Sequence, residues 1–203
     1  MGVPNWFPIQ EYFMNTPCHY IINLALLGNT IAPDNNVAIT IGAILPDLPI
    51  FGFYCVVKFI DKLPEEKIWS EAYYQPFWQN LVALFHSIPL ALIGLLVCLY
   101  GNWQSGTIIC LSALMHSLCD LPVHHSDAHR HFFPFSNYRF ISPISYWDSN
   151  HYGKIVAFFE LLLVLAVNPL VLSLLHSFIA KGLTLAIALL YLFGFFHFYV
   201  RNV

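Results

Sequence analysis

Long apolar segments alternate with short polar ones along most of the chain. A helix needs about 20 consecutive, mostly apolar residues to cross a bilayer, and four segments approach that length: 81–100, 107–121, 155–175 and 181–201. Pro89 and Pro169 are expected to kink their helices, which membrane helices tolerate. Of the 203 residues, 58% are hydrophobic and only 9% are charged, against about 25% charged in soluble domains. The pattern predicts an all-α integral membrane protein with about four transmembrane helices.

Two shorter apolar segments come earlier, at residues 16–29 and 37–45, with a polar turn between them. Each is too short to span a bilayer, so the pattern predicts an N-terminal hairpin of short helices, re-entrant or interfacial. Such a hairpin would return Asp47 to the same side as His19. Residues 50–62 are expected to form an aromatic helix partly in the interface, and the aromatic residues of the first thirteen positions suit an interfacial segment. No domain boundary is visible, so residues 1–203 are predicted to form a single membrane-embedded helical domain.

Charge is sparse and unevenly placed. The net charge is −3 and no basic patch occurs, which argues against a nucleic-acid partner and leaves membrane lipids as the expected surroundings. If the loop 122–153 marks one face, that face receives seven of the eight basic residues: Lys58, Lys62, Lys67, Arg130, Arg139, Lys154 and Arg201. Lys181 stays on the other face. The positive-inside rule then predicts a cytoplasmic histidine-rich face.

The segment 116–131, HSLCDLPVHHSDAHRH, holds five of the ten histidines. His116 and Asp120 lie one helical turn apart, so both side chains can reach one metal ion. His86 and Glu160 fall at a similar distance from the ends of their own apolar segments, about 8 Å below the same face at 1.5 Å per residue. Ionisable groups at membrane depth tend to face a bundle interior, and these matched depths predict one shared pocket.

The residues after Asp120 are open to more than one interpretation. His125, Asp127, His129 and His131 alternate, so an extended segment would project them to one side. They are expected to bind a second metal, to orient other ligands or to clamp substrate, with Asp127 and His129 preferred; a solvated polar loop is the alternative. Arg130 and Arg139 flank them and could bind a phosphate or carboxylate of the substrate, or anionic lipid headgroups.

A set of short motifs occurs in a recognisable order: His19, then Leu45-Pro46-Asp47, then His86-Ser87, then His116-x3-Asp120. This order resembles the YdjM-like (LexA-binding, inner-membrane-associated) family of membrane-bound metal-dependent hydrolases, over about residues 16–134. The chain differs from that family in having Ala83-Leu84-Phe85 before the His-Ser pair and HHSDAHRH after the His–Asp pair. The resemblance implies metal-dependent hydrolysis, of a phosphoester for example, in a bacterial inner (cytoplasmic) membrane.

The expected function is therefore a metal-dependent hydrolase acting at the cytoplasmic membrane interface on a small-molecule or lipid-linked substrate. One or two divalent ions are expected, with zinc first and manganese or iron as alternatives. Glu160 and Asp127 are the candidate catalytic residues, Glu160 as a general base or a ligand, and Arg130 and Arg139 are the candidate substrate-binding residues. The candidate metal ligands are His19, Asp47, His86, His116, Asp120 and His129.

Two other functions fit parts of the sequence. A membrane di-iron oxidase of the desaturase or hydroxylase type would also be rich in histidine at a cytosolic face. The chain, however, lacks repeated H-x3-H and H-x2-H-H boxes separated by membrane helices. A non-enzymatic membrane protein, such as a metal-binding or assembly subunit, is the second alternative.

Overall fold

The computed structural model of the chain describes residues 15–146 and 148–201. Helices account for 76% of the structure, and no strand occurs in the described residues. The prediction of an all-α fold is confirmed. The aromatic N-terminal segment predicted for the membrane interface lies outside the described residues.

Nine α-helices are present in the described part of the chain. In order they are α1 Asn15–Asn23, α2 Asn36–Ile44, α3 Leu48–Cys55, α4 Glu65–Ser70, α5 Pro76–Phe85, α6 Ile88–Tyr100, α7 Gln104–Asp120, α8 Gly153–Leu174 and α9 Phe178–Phe195. Several of them continue into short 3-10 or π-helical turns.

Four helical stretches are long and apolar enough to cross a membrane: Asn36–Ile60, Gln104–Val123, Gly153–Leu174 and Phe178–Val200. A fifth results if α5 and α6, which meet at a bend of 44°, count as one span. These stretches are compatible with a membrane protein, as the composition predicted.

The stretch Asn36–Ile60 differs from the sequence prediction. A short helix followed by a separate interfacial helix was expected, but α2, a 3-10 turn at Leu45–Asp47, α3 and a π-helical turn at Val56–Ile60 follow one another in a single run of 25 residues. Pro46 and Pro49 lie in the first turns of the 3-10 segment and of α3, where a missing N–H group leaves no hydrogen bond unmade. The prolines therefore interrupt the α-helical hydrogen bonding without ending the helical run.

The predicted helix 81–100 is also different, because it is broken at His86-Ser87. Ser87 has extended backbone angles, and its Oγ accepts a hydrogen bond from the Leu90 N–H as the N-cap of α6. Pro89 sits in the first turn of α6, so the break comes before the proline rather than as a kink at it. At Pro169, by contrast, α8 continues to Leu174.

Polar side chains tie α1 and α2 to α7 in the middle of the bundle. The Asn23 amide donates to Ser112 O (2.9 Å) and Oγ (2.8 Å), and Ser112 Oγ donates to Ile39 O (2.7 Å). All the side chains in this chain of hydrogen bonds are buried. Buried polar groups are costly unless paired, so these bonds fix the register of three helices that carry the site.

Gly42 allows α2 to approach α7 closely. A Cβ atom there would lie 2.3 Å from Ile109 O and 2.6 Å from Ser112 Cβ. We expect Gly42→Ala to lower the free energy of unfolding by about 1–3 kcal/mol, because the two backbones must separate. Alanine is the better helix former by about 1 kcal/mol, so helix propensity alone gives the opposite sign.

The matched control is Gly182→Ala in α9, where no atom lies within 4 Å of the added Cβ. Unfolding in detergent, followed by circular dichroism, measures both variants. Equal or greater stability of Gly42→Ala relative to Gly182→Ala would contradict this account of the packing.

Candidate metal centre

The five residues that carry the family-like motifs come together in the fold. His19 lies on α1, Asp47 at the turn before α3, His86 at the break between α5 and α6, and His116 and Asp120 on α7. Every one of these residues is at least 90% buried. With His129 they form three overlapping groups that could hold a metal ion: His19, His116 and Asp120; Asp47, His86 and His116; and His86, Asp120 and His129.

Backbone carbonyl groups orient two of the imidazole rings. Nδ1 of His86 lies 3.0 Å from Val82 O, and Nδ1 of His116 lies 2.7 Å from Ala43 O. A ring that donates its Nδ1 proton to a carbonyl oxygen presents the unprotonated Nε2 on its other side. Both Nε2 atoms are buried and make no hydrogen bond, so their lone pairs are available to a metal ion.

These two Nε2 atoms alternate with two carboxylate oxygens. His86 Nε2 lies 3.4 Å from Asp47 Oδ1 and 3.5 Å from Asp120 Oδ2, and His116 Nε2 lies 3.6 Å and 3.1 Å from the same two oxygens. Four bonds of 2.0–2.1 Å at tetrahedral angles separate neighbouring ligand atoms by about 3.3 Å. The four distances are close to this value, and Asp47, His86 and His116 are one of the groups that could hold a metal ion.

Neighbouring side chains hold these ligands in place. Thr16 Oγ1 donates a hydrogen bond to Asp47 Oδ2. His19 Nε2 lies 2.8 Å from Asp120 Oδ1, and the His19 ring stacks on that of His116 with centroids 3.8 Å apart. The predicted return of Asp47 towards His19 is thus present. Helices α1 and α2 pack together as the predicted hairpin requires, but its second arm continues past Asp47 into α3.

His124 borders the centre from the loop that follows α7. Its Nδ1 pairs with Asp127 Oδ2 at 2.7 Å, while its buried Nε2 makes no hydrogen bond and lies 3.6 Å from Asp120 Oδ1. Burial disfavours the charged form of His124, but Asp127 and Asp120 outweigh it and raise its pKa to about 10. A carboxylate on the far nitrogen is the usual partner of a metal-binding histidine.

His129 and His131 complete the histidine-rich side of the centre. The His129 ring lies 4.3 Å from that of His86 and 4.8 Å from that of His124, between ring centroids. Burial and the neighbouring His86 and His124 hold the pKa of His129 well below its usual value, which keeps the ring neutral, with one of its two nitrogens unprotonated. His131 Nδ1 lies 3.2 Å from His86 O, and burial lowers the pKa of His131 to about 4.

A small cavity of about 30 Å³ adjoins the centre, with Asp47, Asp120, His124, Asp127 and His129 among its lining residues. A volume of about 10–15 Å³ by this measure admits one water molecule, so the cavity has room for water-sized groups. Among the described residues, no lysine or arginine lines it. The charged groups on its wall are carboxylates and imidazoles only.

Glu160 has different neighbours from those predicted. Its Oε1 accepts a hydrogen bond of 3.0 Å from the Tyr191 hydroxyl, and the Cys18 thiol lies beside it. Glu160 does not belong to the metal-holding groups and does not line the cavity. Glu160 instead joins α8 to α1 and α9, through Cys18 and Tyr191.

Both candidate substrate-binding arginines contact protein groups instead of the cavity. Arg139 donates to Ala128 O (2.6 Å) and Gln79 Oε1 (2.8 Å). Arg130 donates to amide oxygens of α5 and of its own loop, those of Asn80 (2.7 Å) and Asn137 (3.0 Å). The two guanidinium groups therefore fasten the histidine-rich loop to α5.

His125 points away from the centre although it adjoins His124 in sequence. Its Nδ1 lies 2.6 Å from Ser142 O, and its ring stacks on His151 with centroids 3.5 Å apart. His151 in turn pairs with Asp148 at 2.7 Å. The expectation that alternate loop residues project to one side is met by His129 and His131 but not by His125, because the loop is not a regular strand.

Sequence reasoning gave no role in the site to Thr16, His124, Tyr73 or Tyr146, which all line the cavity. Two of these had a usable signal. Thr16 lies one helical turn before His19, and His124 lies three residues before Asp127, a spacing that allows an imidazole–carboxylate pair. The two tyrosines carry no such signal, since only the packing of distant segments brings them to the cavity.

Comparison of the chain with known protein families, with curated proteins and with solved structures finds no match.

Arg139→Lys should loosen the histidine-rich loop, because a lysine cannot reproduce the two-pronged contact with Ala128 O and Gln79. A lost hydrogen bond from a charged group is worth about 1.5–3 kcal/mol, so amide hydrogen exchange over residues 124–142 should accelerate about tenfold or more. Arg201→Lys, at an exposed position, is the control. Unchanged exchange in Arg139→Lys would show that the arginine does not fasten the loop.

His116→Ala should abolish tight metal binding, since the variant removes a ligand shared by two of the three groups. Elemental analysis of purified protein after desalting measures the retained zinc, manganese and iron. His176→Ala removes an exposed histidine and should retain metal like the wild type. Metal-free wild-type protein that also fails to take up added ions would refute the centre.

Proposed function

We propose that the protein is a metal-dependent hydrolase whose active site lies at the cytoplasmic end of a membrane-embedded helical bundle. The observation that carries the proposal is the buried alternation of two imidazole Nε2 atoms with two carboxylate oxygens, 3.1–3.6 Å apart. The Nε2 atoms make no hydrogen bond, so the arrangement is stable only with a cation or a proton between the groups. Zinc is the proposed ion, with manganese or iron as alternatives.

A divalent ion at this position would supply Lewis-acid chemistry, which makes water nucleophilic at neutral pH and polarises an ester or phosphoester. The residues of the chain do the rest. His86, His116, Asp47 and Asp120 would hold the ion, Thr16 orients Asp47, and the adjoining cavity has room for a water-sized group beside them. Asp127 acts through His124, whose ring it orients.

The charges of the cavity favour an anionic substrate only when metal is bound. Three carboxylates, those of Asp47, Asp120 and Asp127, line the cavity without a lysine or arginine among the described residues. A phosphate group would be repelled by this wall in the metal-free protein. Because the described wall residues include carboxylates and no arginine, the bound cation would attract the phosphoester, and Arg130 and Arg139 would not.

A lipid-linked substrate is favoured by the position of the cavity. Ile50 and Phe51 line it next to the charged residues, and both belong to the stretch Asn36–Ile60, which is apolar enough to span a membrane. A substrate that joins an anionic headgroup to an apolar chain would match both kinds of wall. A phosphoester borne by a membrane lipid is therefore the proposed substrate class.

The convergence of the motif residues also supports the proposed membership of the YdjM-like hydrolases. His19, Asp47, His86, His116 and Asp120 are separated by up to a hundred residues in sequence, yet they meet at one buried point. A location in a bacterial inner membrane, with the site facing the cytoplasm, is part of the same proposal.

Hydrolysis by purified protein in lipid nanodiscs tests the function. We expect turnover of a phosphoester from a panel of p-nitrophenyl phosphate, bis-p-nitrophenyl phosphate and phosphatidic acid, lost on chelation with EDTA and restored by zinc or manganese. Asp120→Asn should lower turnover more than about 100-fold, because cation binding contributes several kcal/mol of transition-state stabilisation. His176→Ala should keep wild-type turnover.

Two results would contradict the proposal in different ways. Stoichiometric iron with oxygen-dependent turnover would identify a di-iron oxidase. Metal-loaded protein that hydrolyses no member of the panel would favour a non-enzymatic metal-binding protein.

A further inference from the structure

We propose that the centre holds two divalent ions bridged by the Asp120 carboxylate, an inference that rests on the proposed hydrolase function for its substrate. The first position is formed by Asp47, His86, His116 and Asp120 Oδ2. The second is formed by His19, His124 and Asp120 Oδ1.

The two oxygens of Asp120 face different histidines. Oδ2 lies 3.1 Å from His116 Nε2 and 3.5 Å from His86 Nε2. Oδ1 lies 2.8 Å from His19 Nε2 and 3.6 Å from His124 Nε2. A carboxylate that serves one ion needs one such set of neighbours, whereas a bridging carboxylate needs two.

The second position has the features of an open metal site. Ligand atoms on one ion with bonds of 2.0–2.1 Å lie about 2.9–3.3 Å apart at angles between 90° and tetrahedral, close to the distances from Asp120 Oδ1 to His19 and His124. His124 Nε2 is a buried nitrogen that makes no hydrogen bond. Three protein ligands leave a coordination position for water or substrate, as catalytic sites require, whereas the first position has four.

Asp127 orients His124 in the way that a carboxylate orients a metal-binding histidine. Its Oδ2 pairs with His124 Nδ1 at 2.7 Å, which directs Nε2 towards Asp120. An ion bound at Nε2 displaces the proton from that atom, since ligating imidazoles must be unprotonated there.

The charge of the cavity also calls for a second ion. With all ligating imidazoles neutral, Asp47, Asp120 and Asp127 contribute a charge of −3. One divalent ion leaves the site with a net negative charge, whereas two make it positive, so the second ion strengthens the attraction of an anionic phosphoester. Two ions about 3.5–4 Å apart would contact both the attacking and the leaving oxygen of such a substrate.

Metal titration of the full chain in detergent tests the bridge without reference to activity. We expect the wild type to retain two zinc or two manganese ions per chain, and His19→Ala and His124→Ala to retain one. His125→Ala is the matched control, because His125 adjoins His124 but stacks on His151 and pairs with Ser142 O; it should retain two ions.

Electron paramagnetic resonance of the manganese-loaded protein gives a second measure. The wild type and His125→Ala should show the signal of an exchange-coupled pair, and His124→Ala the six-line signal of an isolated ion. Asp127→Asn, which keeps the side-chain volume, should weaken the second ion 10–100-fold and serves if His124→Ala fails to fold.

Failure of this inference is distinguishable from failure of the proposed function. A wild-type protein that binds a single ion, or a His124→Ala variant that keeps a coupled pair, overturns the bridge even if phosphoesters are hydrolysed. Two coupled ions without hydrolysis of any phosphoester would support the bridge and contradict the function.

Discussion

The structure depends on one costly buried contact, in which the Nε2 atoms of two imidazole rings face two carboxylates. The Nδ1 atoms of His86 and His116 lie against the carbonyls of Val82 and Ala43, so their Nε2 atoms face the oxygens of Asp47 and Asp120. Only a cation or a proton between them makes this arrangement stable. The bundle is built so that helix packing holds the four groups at ligand distances in spite of that cost.

Interrupted helices are the means by which the bundle reaches this geometry. The break at His86-Ser87 frees the backbone around His86, and the loop after α7 satisfies it: Ile88 N donates to His131 O at 2.9 Å, and His131 Nδ1 pairs with His86 O. Irregular backbone within apolar surroundings is tolerated only where other groups complete its hydrogen bonds. The histidine-rich loop therefore stabilises the break and at the same time closes the centre.

The same loop explains why a single carboxylate can serve two sets of ligands. Asp120 is the last residue of α7, so residues of several other segments can contact its side chain. His19 of α1 and His124 of the loop lie near Oδ1, and His86 at the α5–α6 break lies near Oδ2. Arg130 and Arg139 fix that return by fastening the loop to α5. The conspicuous basic residues of the loop thus act on the position of the site. In the proposed function, bound cations would supply the charge that attracts an anionic substrate.

The sequence by itself determined the apolar, all-α character and the pairing of His116 with Asp120, because hydropathy and a one-turn spacing are local properties. The order of the short motifs added His19, Asp47 and His86 as their expected partners. The sequence was a poorer guide to which helices are long enough to span a membrane. A proline such as Pro46 can end a helix or lie in its first turn, and its surroundings decide which. Only the tertiary structure decided the rest. It placed Glu160 against Tyr191, turned His125 away and gave His124 its position near Asp120. These outcomes depend on the rotation of each helix about its axis and on the path of an irregular loop, which contacts between distant residues fix and local sequence does not.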